Sequence, residues 1–231
     1  MSLGAIIVAS GRGERMGVPA KILAPLGGEP AIAWCLRSAA QARLDAIVLV
    51  AGSHTEAALA AIVSDLKLSI PVDIVTGGER RQDSVQAGLT AALRLGATVV
   101  AVHDGARPLV TPATFDATLA AAETQGAAIA ATPIVDTIKF VRNGLIEHTV
   151  PRDGLWAAQT PQAFRAQLLA DAFAAADRND LAVTDEAALF EALQWPVAIV
   201  PGDRANLKLT HADDLVLLEA LVQARRGAGE P

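Results

Sequence analysis

Three short apolar runs, at residues 5–9 (AIIVA), 46–51 (AIVLVA) and 97–102 (ATVVAV), constrain this chain more than any other feature. None alternates apolar with polar, so each reads as a strand buried on both faces. Residues 30–43 lie between the first two and place Ile32, Leu36 and Ala39-Ala40 at helical spacing. Residues 55–66, with Ser53 or Thr55 available as a cap, predict a second helix. A short strand at 71–75 and a helix ending at Leu95 follow. Strand alternating with helix in this way predicts an α/β fold whose mostly parallel sheet is covered on both faces. Ligands of such sheets sit beyond the carboxyl ends of the strands. Polar clusters at 10–21, 76–84 and 103–108 each follow a strand, so all three are expected to face one crevice.

The second half starts in the same style, with a helix at 114–125 and a strand at 127–131. It then departs. Residues 137–141 and 145–150 are strand-like runs around Arg142-Asn143-Gly144, the strongest hairpin signal in the chain. A hairpin inserted in a parallel fold projects from the body, and its apolar edge finds a partner. An arm at about 136–154 is therefore expected to mediate dimerisation. The chain resumes at 156–164, with a helix over 165–177 and another opened by Thr184-Asp185-Glu186. A strand at 197–201, a loop and strand at 202–210, and a helix from His211 complete the pattern. Thr210 with Asp213 resembles a capping box, and the tail after Arg225 is expected to fray. One domain spanning 1–231 is the expected organisation, with the arm inserted in it.

Composition removes several classes of function. A net charge of -6 argues against an extended nucleic-acid surface but permits a local cationic pocket. Aromatic residues make up 3% of the chain and tyrosine is absent, which also disfavours stacking platforms for single strands. Cys35 is the only cysteine, so neither a disulfide framework nor a cysteine metal cage can form; it reads as a small core residue. No stretch is long and apolar enough for a membrane span and no leader is visible, so a cytoplasmic protein without membrane or nucleic-acid partners is expected.

The loop after the first strand carries Ser10, Gly11, Arg12, Gly13, Arg15 and Lys21. Glycines and cations after a strand suit a phosphate, whereas a solvated turn is the competing reading of the loop taken alone. It is neither of two familiar phosphate loops. A P-loop ends in Gly-Lys-Ser/Thr, but Lys21 lies between Ala20 and Ile22; the dinucleotide fingerprint needs a glycine where Met16 stands. Asp104 ends the third strand and suits Mg²⁺, which takes one or two carboxylates plus phosphate oxygens. The alternative is a carboxylate that caps the next turn and pairs with Arg107. Gly77-Gly78 with Ser84 would let a flat base approach, or would simply start a helix capped by Asp83 or Ser84. Thr184 reads either as a site residue or as the cap of its helix, with Asp185 and Glu186 complementing the dipole. Arg152 and Lys208 are isolated cations in apolar surroundings. The four histidines lack metal-ligand spacing, no Gly-x-Ser-x-Gly elbow occurs, and His103 reads as structural.

In order from Ala9 to Thr210 the chain contains Ala-Ser-Gly-x-Gly-x-Arg-Met, Pro-x-Lys, Gly-Gly-x-x-Arg-x-x-Ser-Val, His-Asp-x-Ala-Arg-Pro and Asp-Thr-Ile-Lys. Arg-x-x-Leu-Trp, Thr-Pro-Gln-x-Phe, Thr-Asp-Glu and Asn-x-Lys-x-Thr follow. Each motif is weak alone; the ordered set resembles the 2-C-methyl-D-erythritol 4-phosphate cytidylyltransferase family of the non-mevalonate isoprenoid pathway. The resemblance implies a Rossmann-like nucleotidyltransferase, CTP and methylerythritol phosphate as substrates, Mg²⁺ as cofactor and a homodimer joined through the arm. It implies that Ala9, Ser10, Gly11 and Gly13 line the nucleotide and that Arg15 and Lys21 grip its phosphates. Gly78, Glu79 and Ser84 would read the cytosine and ribose, and Asp104 would hold the metal. Arg107 and Thr137 would bind the acceptor, Thr137 from across the dimer. Arg152 and Lys208 would position the acceptor phosphate, with Thr184 alongside. A relative acting on another polyol phosphate, such as ribitol 5-phosphate, would share all but the acceptor contacts. Arg12 has no assigned role.

Overall fold

The computed structural model describes residues 2–11, 21–178, 181 and 183–227. The chain opens with β1 (Leu3–Ala9), followed by a 3-10 turn at Lys21–Leu23 and a small ribbon of β2 (Pro25–Leu26) and β3 (Glu29–Pro30). Then come α1 (Ala31–Gln41), β4 (Ala46–Ala51), α2 (Glu56–Leu66), β5 (Val72–Thr76), α3 (Arg81–Arg94) and β6 (Val99–Asp104). The second half holds α4 (Pro112–Gln125), β7 (Ala127–Pro133), β8 (Ile138–Arg142), β9 (Leu145–Val150) and β10 (Trp156–Arg165). It closes with α5 (Ala166–Arg178), α6 (Ala187–Ala192), β11 (Ala198–Pro201) and α7 (Ala212–Gly227).

The main sheet has the order β11-β7-β10-β6-β1-β4-β5. Only β10 runs antiparallel to its neighbours β6 and β7. The remaining pairings are parallel, with β1 central between β4 and β6. Successive residues of β1 serve opposite cores: Ala5, Ile7 and Ala9 face one side, Ile6 the other. That is why the run is apolar at every position. The first core is closed by α1, α2, α4 and α7 through Leu36, Leu59, Phe115 and Leu218. The second is closed by α3, α5 and α6 through Val85, Leu169 and Phe190. In it the Phe164 and Phe190 rings lie 4.9 Å apart and Trp195 meets Phe190 edge-on at 5.4 Å. Cys35 lies fully buried in the first core as a small hydrophobe, and burial pushes its thiol pKa up.

The strands fall close to the predicted runs, and the predicted hairpin is present. β8 and β9 pair only with each other in a separate two-stranded sheet. At its turn Asn143 and Gly144 both have positive φ, 51° and 79°, the backbone that a tight hairpin requires.

The ends of several helices differ from expectation, because side chains beyond the immediate dipeptide win the capping contacts. Thr55 precedes α2, but its hydroxyl donates to the Gly52 carbonyl and it caps no helix N–H. The fourth helix starts at Pro112, with Thr111 accepting from the Thr114 N–H; proline at the first helical position costs no hydrogen bond. Thr184 is not the cap of α6: Asp185 accepts from the Ala188 N–H at 3.1 Å. At α7 the capping carboxylate is Asp214 rather than Asp213, accepting from Thr210 and His211 N–H at 2.7 Å each. Residues 202–210 form a loop without the expected strand; Gln159 donates to the Asp203 carbonyl within it, and Asn206 donates out of it to the Thr160 carbonyl. The helix α7 continues to Gly227, and the rest of the expected frayed tail lies outside the described residues.

Candidate active site

The carboxyl ends of β1, β4, β5 and β6 open on a crevice of about 800 Å³. Ala9, Ser10 and Gly11 follow β1 into it, Gly52, Ser53 and His54 follow β4, and residues 76–81 follow β5. Asp104 closes β6, and Lys21 and Lys208 reach it from the 3-10 turn and from the loop before α7. Described residues from each of the three predicted polar clusters therefore do converge.

Close approach of the loops after β1 and β5 depends on small residues. A Cβ on Gly77 would stand 2.6 Å from Ser84 Oγ and 2.8 Å from Ser10 Cβ. The two serine hydroxyls share a 2.9 Å hydrogen bond that joins the loop after β1 to the start of α3. Ser84 is fully buried, so it supports the crevice wall; Gly78 and Glu79 line it. Asp83 caps α3 by accepting from the Arg80 N–H at 3.1 Å, as one reading of that stretch expected.

Asp104 is the electrostatic centre. Lys208 Nζ lies 2.6 Å from Oδ2 and Arg81 Nε 3.2 Å from Oδ1. Burial opposes ionisation here, but Arg81 and Lys208 outweigh it and hold the carboxyl well below the usual carboxylate range. The expected alternative partner, Arg107, is not the one used. Its backbone N–H donates to the Asp104 carbonyl at 2.9 Å, while its side chain donates to the Asn206 carbonyl at 2.7 Å. Below Asp104, His103 is buried against Phe115 and bonded to Thr160 and the Arg107 carbonyl; burial pushes its pKa down to about 4. It is a structural residue.

Two residues that sequence reasoning gave no site role belong to this network. Arg81 bridges Asp104 to Glu186, its Nη1 donating to Glu186 Oε1 at 2.7 Å. Glu186 is buried, and desolvation raises its pKa although Arg81 opposes the rise. The expectation that Glu186 merely complements a helix dipole is thus replaced by an ion pair to a residue 105 positions earlier. The available signal was the arginine of the Gly-Gly-x-x-Arg motif, which carries no information about its partner.

Not every predicted residue reaches the crevice. Arg107 is half-buried behind it, next to the lining Ala106. Thr184 is exposed and outside it. Thr137 and Arg152 lie exposed on the arm, and Arg152 donates to the Val135 carbonyl. Gly13 and Arg15, like the unassigned Arg12, lie outside the described residues.

Among the described residues no group of three or more His, Cys, Asp or Glu could cage a metal. The donors present suit instead an ion that takes one or two carboxylates and completes its shell with phosphate oxygens and water. Asp104 and Glu79 are the carboxylates that line the crevice, and both Asp104 oxygens here meet cations, Lys208 and Arg81.

Glycine-opened loops, paired cations and one strand-end carboxylate at the edge of a largely parallel sheet characterise a Rossmann-like nucleotidyltransferase, and comparison with known proteins agrees. A model of the 2-C-methyl-D-erythritol 4-phosphate cytidylyltransferase family matches residues 3–224. The enzyme of that name from Gloeobacter violaceus is 44% identical over 224 residues, covering 95% of this chain and 96% of its own length. Its counterpart from Dehalococcoides mccartyi is 42% identical, with 97% of each chain covered. Among solved structures, 4-diphosphocytidyl-2C-methyl-D-erythritol synthase from Anaerococcus prevotii superposes with a TM-score of 0.84 at 29% identity, covering 96% of this chain and 98% of that one. The Thermus thermophilus 2-C-methyl-D-erythritol 4-phosphate cytidylyltransferase reaches 0.79 at 32% identity, covering 96% and 100%. The chain belongs to the 2-C-methyl-D-erythritol 4-phosphate cytidylyltransferase family. Among the described residues no helix is long and apolar enough to cross a membrane.

Proposed function

We propose that this protein transfers CMP from CTP to 2-C-methyl-D-erythritol 4-phosphate, giving 4-diphosphocytidyl-2-C-methyl-D-erythritol and pyrophosphate. The observation that carries this reading is the convergence of Ser10, Gly11, Lys21, Gly78, Asp104 and Lys208 on one crevice in a chain of this family. A phosphate oxygen of the acceptor attacks the α-phosphorus of CTP; the bond from that phosphorus to the β-phosphate bridging oxygen breaks, and pyrophosphate leaves with its electrons. The attacking phosphate is already ionised at neutral pH, so no general base is needed. Among the described residues, the charged groups that line the crevice are lysines, arginines and carboxylates. Two polyanions must meet, and positioning and electrostatic stabilisation supply most of the acceleration.

In this reading Ala9, Ser10 and Gly11, with Gly13, line the triphosphate, and Lys21 with Arg15 stabilises the charge that develops on it. Gly78 and Glu79 meet the base and ribose from a wall that Ser84 supports. Asp104 would hold Mg²⁺, which when bound would offset phosphate charge. Lys208, bonded to Asp104 at the crevice, positions the acceptor phosphate. Arg107 and Thr184 complete the acceptor side. Thr137 and Arg152, exposed and away from the crevice, act from the arm of a second copy in a homodimer. Support for the dimer comes from the arm's exposed apolar residues: Phe140, Val141, Leu145 and Ile146 are 44–74% exposed.

The deciding experiment measures Mg²⁺-dependent pyrophosphate release from CTP with methylerythritol 4-phosphate and, separately, ribitol 5-phosphate. Release with the first acceptor alone is expected. Turnover of ribitol 5-phosphate in its place would reassign the acceptor, and release with neither would overturn the activity.

A further inference from the structure

Glu186 is a buried charge that the proposed reaction does not use. Its side chain is 2% exposed, and its Oε2 is buried with no hydrogen-bond partner. A carboxylate out of water is costly even when paired, and an apolar side chain of similar size often serves stability as well or better. This carboxylate also lies close enough to Asp104 and Asp185 to feel their charge, beside a crevice that accepts a polyanion. On electrostatic grounds alone it is misplaced.

What it does hold is Arg81. The guanidinium spans both carboxylates, Nη1 on Glu186 at 2.7 Å and Nε on Asp104 at 3.2 Å, while Lys208 occupies the other Asp104 oxygen. Two carboxylates and two cations thus form one electroneutral chain, with Glu186 at its inner end. Arg81, Asp104 and Lys208 line the crevice; Glu186 does not. The inner end is itself fastened to the sheet. Gln162 of β10 donates to Asp185 at 2.8 Å and accepts from the Ala187 N–H at 3.1 Å, on either side of Glu186 in the chain.

The geometry points to Glu186 as a positioning residue: it fixes Arg81, which fixes the Asp104 carboxylate, so that CTP enters a crevice whose charges are already set. Arg81 without its inner partner is free to turn toward the triphosphate or solvent, and Asp104 loses the donor on Oδ1. Preorganised partners of this kind raise affinity because their ordering is not charged to the binding step. The inference rests on the CTP reading above.

The test is calorimetric titration of CTP with Mg²⁺ into four proteins, with a melting curve for each: wild type, Glu186→Gln, Arg81→Met and the double variant Arg81→Met/Glu186→Leu. Glu186→Gln keeps the shape and removes the charge, and is expected to weaken CTP binding about 10-fold or more, in the range seen when such supporting partners are lost. Arg81→Met strands Glu186 and should melt lower. The double variant should regain melting temperature but bind CTP no better than Arg81→Met, since Glu186 acts only through Arg81. A double variant that regained affinity along with stability would make the pair purely structural and overturn the inference. So would Glu186→Gln binding as wild type does. Where Arg81→Met alone fails to fold, Glu186→Gln and the double variant are each compared with wild type, and the same two outcomes overturn the inference. Wild-type protein that bound no CTP would overturn the nucleotide reading and this inference together, whereas wild-type binding with an unaffected Glu186→Gln removes only the positioning role.

Discussion

Asp104 could be picked out of the sequence as a site residue because an apolar run stops there, yet its partners could not. Arg81 and Lys208 come from 23 positions before it and 104 after it, and no local pattern links them. His103, one residue earlier, reports on the same buried environment. Its pKa, pushed from 6.5 to about 4, means that the native state stays neutral where the unfolded chain takes up a proton. The unfolded state therefore binds more protons between those values, and stability should fall as pH drops from about 6.5 to about 4, by about 3 kcal/mol in all. Denaturant titrations of the metal-free protein across that range check it, and His103→Asn should flatten the slope there. At Gly77 the question is space. Gly77→Ala forces a methyl against the Ser10 and Ser84 pair. A loss of about 1–3 kcal/mol in a denaturant melt is expected, together with weaker CTP binding by calorimetry. Arg15→Ala should lower pyrophosphate release by about two to three orders of magnitude, as loss of one transition-state donor does; unchanged turnover would take the first loop out of the mechanism.

Elements were the easiest scale to read and their ends the hardest. Interior runs announce themselves through period, because burial on both faces demands apolar residues throughout and burial on one face demands helical spacing. Caps are single hydrogen bonds, and several side chains nearby can make them. Thr111 caps the N-terminus of α4, which starts at Pro112 rather than 114; Asp185 caps where one reading put Thr184, and Asp214 where Asp213 was expected. Thr111→Ala should cost about 1 kcal/mol, seen as a lower melting temperature with CTP turnover intact. The hairpin was readable because Asn-Gly in a two-residue turn satisfies a backbone demand that few other pairs meet.

For the whole molecule, the proposed roles of Thr137 and Arg152 require arm residues to act on a crevice that they do not line in their own chain, and a second copy would supply them. Leu145→Asp with Ile146→Asp replaces the most exposed apolar residues of the arm and leaves the cores untouched. Sedimentation should show a monomer in place of a dimer, with an unchanged melt of the body. Pyrophosphate release should fall if Thr137 and Arg152 act across the interface, and a dimer that persists would remove the arm from assembly. Within one chain, hydrophobic period and turn chemistry sufficed for most of the strands, a mostly parallel sheet and the three strand-end clusters, since these are local demands that each segment meets alone. Closure of the tertiary structure was needed to bring Lys208 and Arg81 to opposite oxygens of Asp104 and to bury Glu186 behind them. Ion pairs leave no periodic trace in a sequence: any arginine can meet any carboxylate, and only the packed chain decides which one does.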